Sequence, residues 1–483
     1  MMARAGKRIL AHWRLVLGLF VAWLIVTGIC AYRVQTEGAF STHETTKLFE
    51  YAKHKYHTDP GSLRLNQSYT RWAVNVPPSD AFNYLRTGLG FADGHGLNIK
   101  LVTLDDPNSH TYIPYYHQGP GTPVAIGLFI KAFGQDSVLP YFLFISIVHL
   151  GTAILTCILA SLYLEEPLLV FGAGLLSLVC LPAVDSNLGI GFFWSEPLAA
   201  PFVVASLIAA ALFWRNKARS YKITLATGLG FGISLAIGSY FRDVYTTFLQ
   251  FSLAVFLLAS CFERRRLKHI FLFALVSMIA LSVIQLPWKK RNQWYFREFS
   301  MSGTTYCGAG LWALTWDNSR DTIPEYSGGI GLGSYLAPEK SAVVLQKLQE
   351  DRKQGGTYAF KCLLDAILKR PWDAVKFKLN VYDALWLGQP SCPYIYLWCV
   401  IASASFIIFL FVTGFAFEPG LWLFPLFLFC ISPIIQYEHR YAQPFFLFVT
   451  PITTMYFARK FLYAKVLARQ TDKAKAHGQN LAS

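Results

Sequence analysis

Apolar residues in this chain run in long unbroken blocks instead of alternating or marking one face of an element. The blocks lie near Leu15–Tyr32, 138–164, 167–187, 192–214, 223–241, 244–262, 269–287, 394–416, 420–436 and 442–458. A hydrocarbon layer about 30 Å thick takes roughly 20 apolar residues of helix to cross, and the blocks match that length. The pattern predicts an all-α polytopic membrane protein with about ten transmembrane helices. Two longer polar stretches, 33–137 and 288–393, separate the blocks and read as large loops. Within the first, Gly121–Phe133 is apolar but short, carries Lys131 and has Pro123 and Gly134 near its ends, so it reads as an interfacial segment. Within the second, Tyr358–Leu387 alternates apolar positions with Lys369, Arg370, Asp373, Lys376 and Lys378 around Pro371, which fits two amphipathic helices lying on the membrane. Neither an inverted repeat nor a low-complexity linker divides the chain, so 1–483 reads as a single membrane unit.

Composition strengthens this reading. Hydrophobic residues make up 54% and charged residues only 15% of the 483, more apolar than a soluble chain of that length. The formal charge of +15 sits largely in short clusters beside the apolar blocks, which points to membrane orientation and away from nucleic acid. If Gly121–Phe133 does not cross, Arg4–Arg14, Arg215–Lys222, Arg264–Lys268 and Arg459–Lys475 all share one side. By the positive-inside preference that side is the cytoplasm, both termini lie there, and the two large loops are on the other face. The first block follows Arg4, Lys7, Arg8 and Arg14 as a signal peptide would, but its length and the lack of a small-residue cleavage site favour a retained anchor.

The nine cysteines form no CxxC pair and no metal-type spacing. Cys30, Cys157, Cys180, Cys261 and Cys430 fall in apolar blocks and read as small hydrophobes. Cys307, Cys362 and Cys392 fall in the second loop, where one pair suits a disulfide and the choice of pair stays open.

With this orientation the ionisable residues beside the membrane collect on the non-cytoplasmic face: Asp80, Asp185, Glu196, Arg242, Asp243, Glu438, His439 and Arg440. Charges at a membrane boundary need solvent or partners, so such a grouping fits either a shared polar cavity or plain loop solvation. Trp194, Trp288, Trp294, Tyr437 and Tyr441 read most simply as interfacial aromatics.

The most informative stretch runs Ser79-Asp80-Ala81-Phe82-Asn83-Tyr84, through Asp93-Gly94-His95-Gly96, to His117-Gln118-Gly119-Pro120-Gly121-Thr122-Pro123 and Phe133-Gly134. An acidic residue with Tyr four positions on, a glycine-rich turn, a Pro-Gly-x-Pro element and a closing Phe-Gly resemble the first external loop of GT-C glycosyltransferases. The protein O-mannosyltransferase and aminoarabinose-transferase group is the nearest in pattern, although Gly119-Pro120-Gly121 stands where that group often has paired prolines. The arrangement of one span, a long outer loop and a bundle of spans resembles it too.

The resemblance implies transfer of a sugar from a polyprenyl-phosphate donor to a lipid, glycan or protein acceptor, in a bacterial inner membrane. It implies Asp80 as the base that takes the acceptor's hydroxyl proton, while the residues alone also allow Asp80 as the cap of a helix opened by Pro77-Pro78-Ser79. Arg242 and Arg440, and the run Lys289, Lys290 and Arg291, are the candidate phosphate ligands; snorkelling to lipid headgroups is their alternative. Tyr84, His117, Glu196 and Tyr441 are the candidate positioning residues, with His95 and His117 also readable as ordinary loop histidines. The residues identify no cofactor with certainty; a divalent cation on Glu196, Asp185 and His117 suits the ligand types, without support from their spacing. The competing functions are a transporter or flippase, which would carry polar groups at mid-membrane, and a polymerase or ligase of lipid-linked glycans. Asn66-Gln67-Ser68 is a glycosylation acceptor only if the membrane is that of the endoplasmic reticulum.

Overall fold

The computed structural model describes residues 13–36, 80–100, 110–115, 119–134, 139–180, 195–216, 220–262, 266–297, 299–301, 368, 371–372, 393–413, 417–431 and 448–460. Its helices in chain order are α1 (Trp13–Thr36), α2 (Asp80–Ala92), α3 (Gly121–Phe133), α4 (Leu139–Ala160), α5 (Pro167–Val179) and α6 (Glu196–Trp214). They continue as α7 (Tyr221–Phe241), α8 (Val244–Phe262), α9 (Leu267–Phe296), α10 (Pro393–Val412) and α11 (Pro419–Ile431), with a further helix over 448–460. Between α2 and α3 lies an antiparallel hairpin, β1 (Asn98–Lys100) and β2 (Tyr112–Pro114), with Ile99 opposite Ile113.

The protein is an all-α polytopic membrane protein: among the described residues six helices, α1, α4, α6, α7, α8 and α9, are long and apolar enough to cross a bilayer. Two further apolar blocks appear as the shorter apolar helices α5 and α11. At 13 residues α3 is about 20 Å long, short of the roughly 30 Å a crossing needs. The amphipathic stretch expected over 358–387 and the cysteines at 307, 362 and 392 lie outside the described residues, apart from 368 and 371–372.

The middle of the bundle is α6, packed against α4, α7 and α11. Ala199, Ala200, Ala210 and Ala211 are fully or nearly fully buried on it, and such small side chains let helix backbones approach where lipid supplies no hydrophobic drive. The α7–α9 contact uses the same device. A β-carbon at Gly232 would stand 2.5 Å from the Ser277 carbonyl oxygen, and Ser277 donates its hydroxyl to the Gly228 carbonyl at 2.9 Å. Gly232→Val is therefore expected to destabilise the folded protein by about 1–3 kcal/mol through overpacking. The check is its melting temperature in detergent; an unchanged value would refute this close approach.

A polar seam that hydropathy conceals runs along one face of α4. Trp23 of α1 donates to the Ser146 hydroxyl at 2.8 Å, and Thr27 shares a short bond with the same hydroxyl. His149, 1% exposed, bonds through Nε2 to the Leu178 carbonyl of α5 at 3.1 Å, and Thr156 meets Ser177 at 3.5 Å. Buried polar groups inside a membrane bundle are satisfied by one another, and here they fasten α1 and α5 to α4.

At the end of the bundle where α6 stops, one arginine from each of three basic clusters is tied down. Arg215 pairs with Glu418 at 3.1 Å, lies 4.4 Å from the Tyr163 ring and bonds the Leu162 carbonyl. Arg266 sits over the Trp214 ring and bonds its carbonyl, and Arg459 reaches Glu166 at 3.1 Å.

Candidate active site at the start of the sixth helix

Pro197 follows Glu196 at the start of α6, and a proline there costs no hydrogen bond because the first helical amides have no intrahelical partner. An acidic side chain in that first turn also suits the helix dipole. The Glu196 carboxylate is engaged by two side chains. Its Oε1 takes Arg242 Nη1 at 2.5 Å and its Oε2 accepts the Ser195 hydroxyl at 3.2 Å, with Arg242 Nη1 also 3.4 Å from Ser195 Oγ. Arg242 follows α7 in extended backbone (φ −144°, ψ 117°), which turns its side chain off the helix axis toward α6. The side chains are 2% and 13% exposed, so this is a buried ion pair. Tyr245, buried beside it, donates its amide to the Arg242 carbonyl at 3.3 Å. Within the same helix group, Gln285 of α9 donates to Ser239 Oγ at 2.8 Å and Thr246 Oγ1 at 2.7 Å, joining α7, α8 and α9.

The first polar stretch docks at this end. A β-carbon at Gly119 would stand 2.2 Å from the Tyr240 carbonyl oxygen, and one at Gly121 would stand 2.7 Å from the Phe241 ring. The two glycines of Gly119-Pro120-Gly121 are thus required because the element rests on the last turn of α7, immediately before Arg242. Tyr84, fully buried, belongs to one apolar cluster with Tyr115, Ile126, Tyr141, Leu198 and Trp288. Leu198 lies two residues beyond Glu196, so this cluster supports the same end of α6.

The candidate residues fall into distinct groups. Glu196 and Arg242 come together. Tyr84 is a core side chain in the cluster that holds Leu198. Asp80 is the first helical residue of α2, and its side chain lies outside the described residues. Asp185, His117, Arg440 and Tyr441 lie outside the described residues as well. Lys289 and Lys290 were expected in a loop beginning at 288, but α9 continues to Phe296. Trp288 and Asn292, four residues apart and both buried, provide the inward face that carries the helix past Pro287. Lys289 is half-buried with its ammonium 5.8 Å from the Phe299 ring, and Lys290 is exposed. Arg291 turns to backbone: its Nη1 bonds the Tyr115 carbonyl at 2.5 Å and its Nη2 the Leu97 carbonyl at 2.9 Å.

His95 takes an ordinary loop role. Its ring stacks on Tyr112 at 3.7 Å, and Asp93 joins the Tyr112 hydroxyl (3.0 Å) to the Lys100 ammonium (2.8 Å). Burial and the bond to Asp93 raise the Tyr112 phenol above its usual pKa. Among the described residues no three His, Cys, Asp or Glu side chains gather as metal ligands.

Sequence reasoning passed over Ser195, Gln285 and Thr246 as members of this end, and it read Arg291 as a phosphate or headgroup ligand instead of a backbone partner. Gln285 had a signal, since an amide inside an apolar block demands a partner. Ser195 and Thr246 had none, because serine and threonine are common in membrane helices.

No protein-family model matches the chain, and no characterised protein matches it by sequence. Among solved structures, the crystal structure of the Archaeoglobus fulgidus oligosaccharyltransferase in complex with Zn and sulfate is similar at a TM-score of 0.44 and 14% identity. That alignment covers 93% of this chain and 51% of the other, so the chain spans about half the length of the archaeal protein.

Proposed function

We propose that this chain is a GT-C type glycosyltransferase that moves a sugar from a polyprenyl-phosphate donor to a lipid, glycan or protein acceptor on the non-cytoplasmic face. The observation that carries the reading is the seating of Gly119-Pro120-Gly121 on the last turn of α7 beside the buried Glu196–Arg242 pair. It unites the loop whose pattern resembles that family with an ion pair whose burial is costly unless it has a task or a complete set of partners.

In the proposed reaction an acceptor hydroxyl attacks the anomeric carbon and Asp80 takes its proton. The bond from that carbon to the phosphate oxygen breaks, and its electron pair leaves with the lipid phosphate. A single displacement of this kind inverts the anomeric centre. Arg440, Lys289 and Lys290 supply positive charge for the departing phosphate, and Arg242 is held in a fixed direction by Glu196. His117 and Tyr441 position the substrates. A transporter would keep polar groups at mid-membrane for its cargo, whereas the seam on α4 is engaged in bonds between helices.

The test compares lipid-linked sugar pools and surface glycans with and without the gene. Loss of the gene is expected to accumulate one polyprenyl-linked sugar and remove that sugar from a surface glycan; unchanged pools would overturn the reading. Orientation has its own measurement. Single cysteines at Ser62 and Ser334, placed in a chain otherwise free of cysteine, are expected to react with an impermeant reagent added outside intact cells. Protection of both sites would reverse the topology.

A further inference from the structure

We propose that Arg291 is the positioning residue of the first polar stretch: it clamps the base of the β1–β2 hairpin to α9 and thereby sets where Gly119-Pro120-Gly121 meets α7. The clamp rests on geometry alone; its effect on transfer rests on the function proposed above.

At 30 residues α9 is about 45 Å long, some 15 Å more than a bilayer core demands. The surplus turns are held at their far end. Trp288 Nε1 donates to the Met301 carbonyl at 2.7 Å, and Asn292 Nδ2 to the Ser300 carbonyl at 2.9 Å, so the chain beyond Phe296 folds back on the helix. From this braced segment Arg291 reaches across 176 and 194 residues of sequence to the Tyr115 and Leu97 carbonyls.

Those two carbonyls flank the hairpin. Leu97 precedes β1, Tyr115 follows β2, and the Tyr115 amide donates to the Leu97 carbonyl at 3.0 Å. One planar guanidinium therefore grips both rails where the hairpin opens. Its carbon lies 4.5 Å from the Trp288 ring centre and 4.9 Å from that of Tyr295, which fixes the plane of the fork. Lysine keeps the charge but has no rigid fork with which to hold two divergent acceptors. Gly119 follows Tyr115 by four residues, a reach of at most about 14 Å, so the position of Tyr115 limits where the glycine element can rest.

The experiment uses the full-length protein in lipid nanodiscs, with Arg291→Lys, Arg291→Ala and Gln293→Ala, the last at an exposed position on the same segment. Amide hydrogen exchange is followed over 97–115 and, as a reference, over α6 and α7. Both Arg291 variants are expected to raise exchange at the hairpin about tenfold, the equivalent of one charge-assisted hydrogen bond, with α6, α7 and Gln293→Ala unchanged. In the transfer assay kcat/KM is expected to fall by a similar factor for Lys and Ala alike, with donor affinity retained. Wild-type behaviour of Arg291→Lys would overturn the clamp, since charge alone would then suffice. Loss of protection throughout α6 and α7 in both variants would also overturn it, because Arg291 would then serve the bundle and not the loop. Raised hairpin exchange in a protein with no transfer activity would keep the clamp and reject the glycosyltransferase reading.

Discussion

Replacing Asp80 by Asn is expected to leave expression, folding and donor binding intact and to lower turnover by roughly 100-fold or more, the usual contribution of a positioned base. Asn separates the two roles open to this residue. Asp80 is the first residue of α2, and the loss of a charge at a helix start typically costs only about 0.3–1 kcal/mol, so helix stability is largely preserved. What Asn cannot do is accept the hydroxyl proton of an attacking acceptor. Transfer is measured with purified, monodisperse protein and a polyprenyl-linked donor. Transfer at the wild-type rate would return Asp80 to the part of a helix cap and remove the base from the proposed mechanism.

The second large effect is on stability. Sequence reasoning gave Arg242 to the donor phosphate, so that Arg242→Ala was expected to act on donor use more than on folding. The buried pair adds a stability cost to that substitution, because it leaves the Glu196 carboxylate, 2% exposed, without its cation. Breaking a buried pair from one side typically costs about 3–5 kcal/mol, far more than the net worth of the pair. Arg242→Ala and Glu196→Ala are each expected to destabilise the protein on that scale, read as a fall in melting temperature. The double variant Glu196→Ala with Arg242→Ala, which removes both charges, is expected to recover much of the loss. Additive losses in a double-mutant cycle would mean that the two side chains do not interact as the geometry requires.

Membrane class, helical content and the position of the six long apolar helices were legible because hydropathy is additive along a segment. A block such as 269–287 must be buried in lipid whatever its neighbours do. The shortness of Gly121–Phe133 was legible for the same reason. The end of α9 was not: Lys289, Lys290 and Arg291 read as a loop, and the helix persists because Trp288 and Asn292 find partners in Met301 and Ser300. A polar run says nothing of whether its inward face has something to pack on.

The amino-acid sequence alone determined that the chain crosses the membrane repeatedly and that its ionisable residues gather beside the spans. It also isolated the Asp80-to-Gly134 stretch as the unusual one. Only the tertiary structure decided which of those residues meet. Glu196 and Arg242 are 46 positions apart and became partners because α6 and α7 run antiparallel, bringing the start of one to the end of the other. Gly119 and Gly121 became contact points because the last turn of α7 lies against them, and Tyr84 became core because Tyr115, Leu198 and Trp288 surround it. Transfer into lipid depends on each segment's own composition, whereas a contact between distant side chains depends on how helices pack, and packing is a property of pairs that no single stretch of sequence contains.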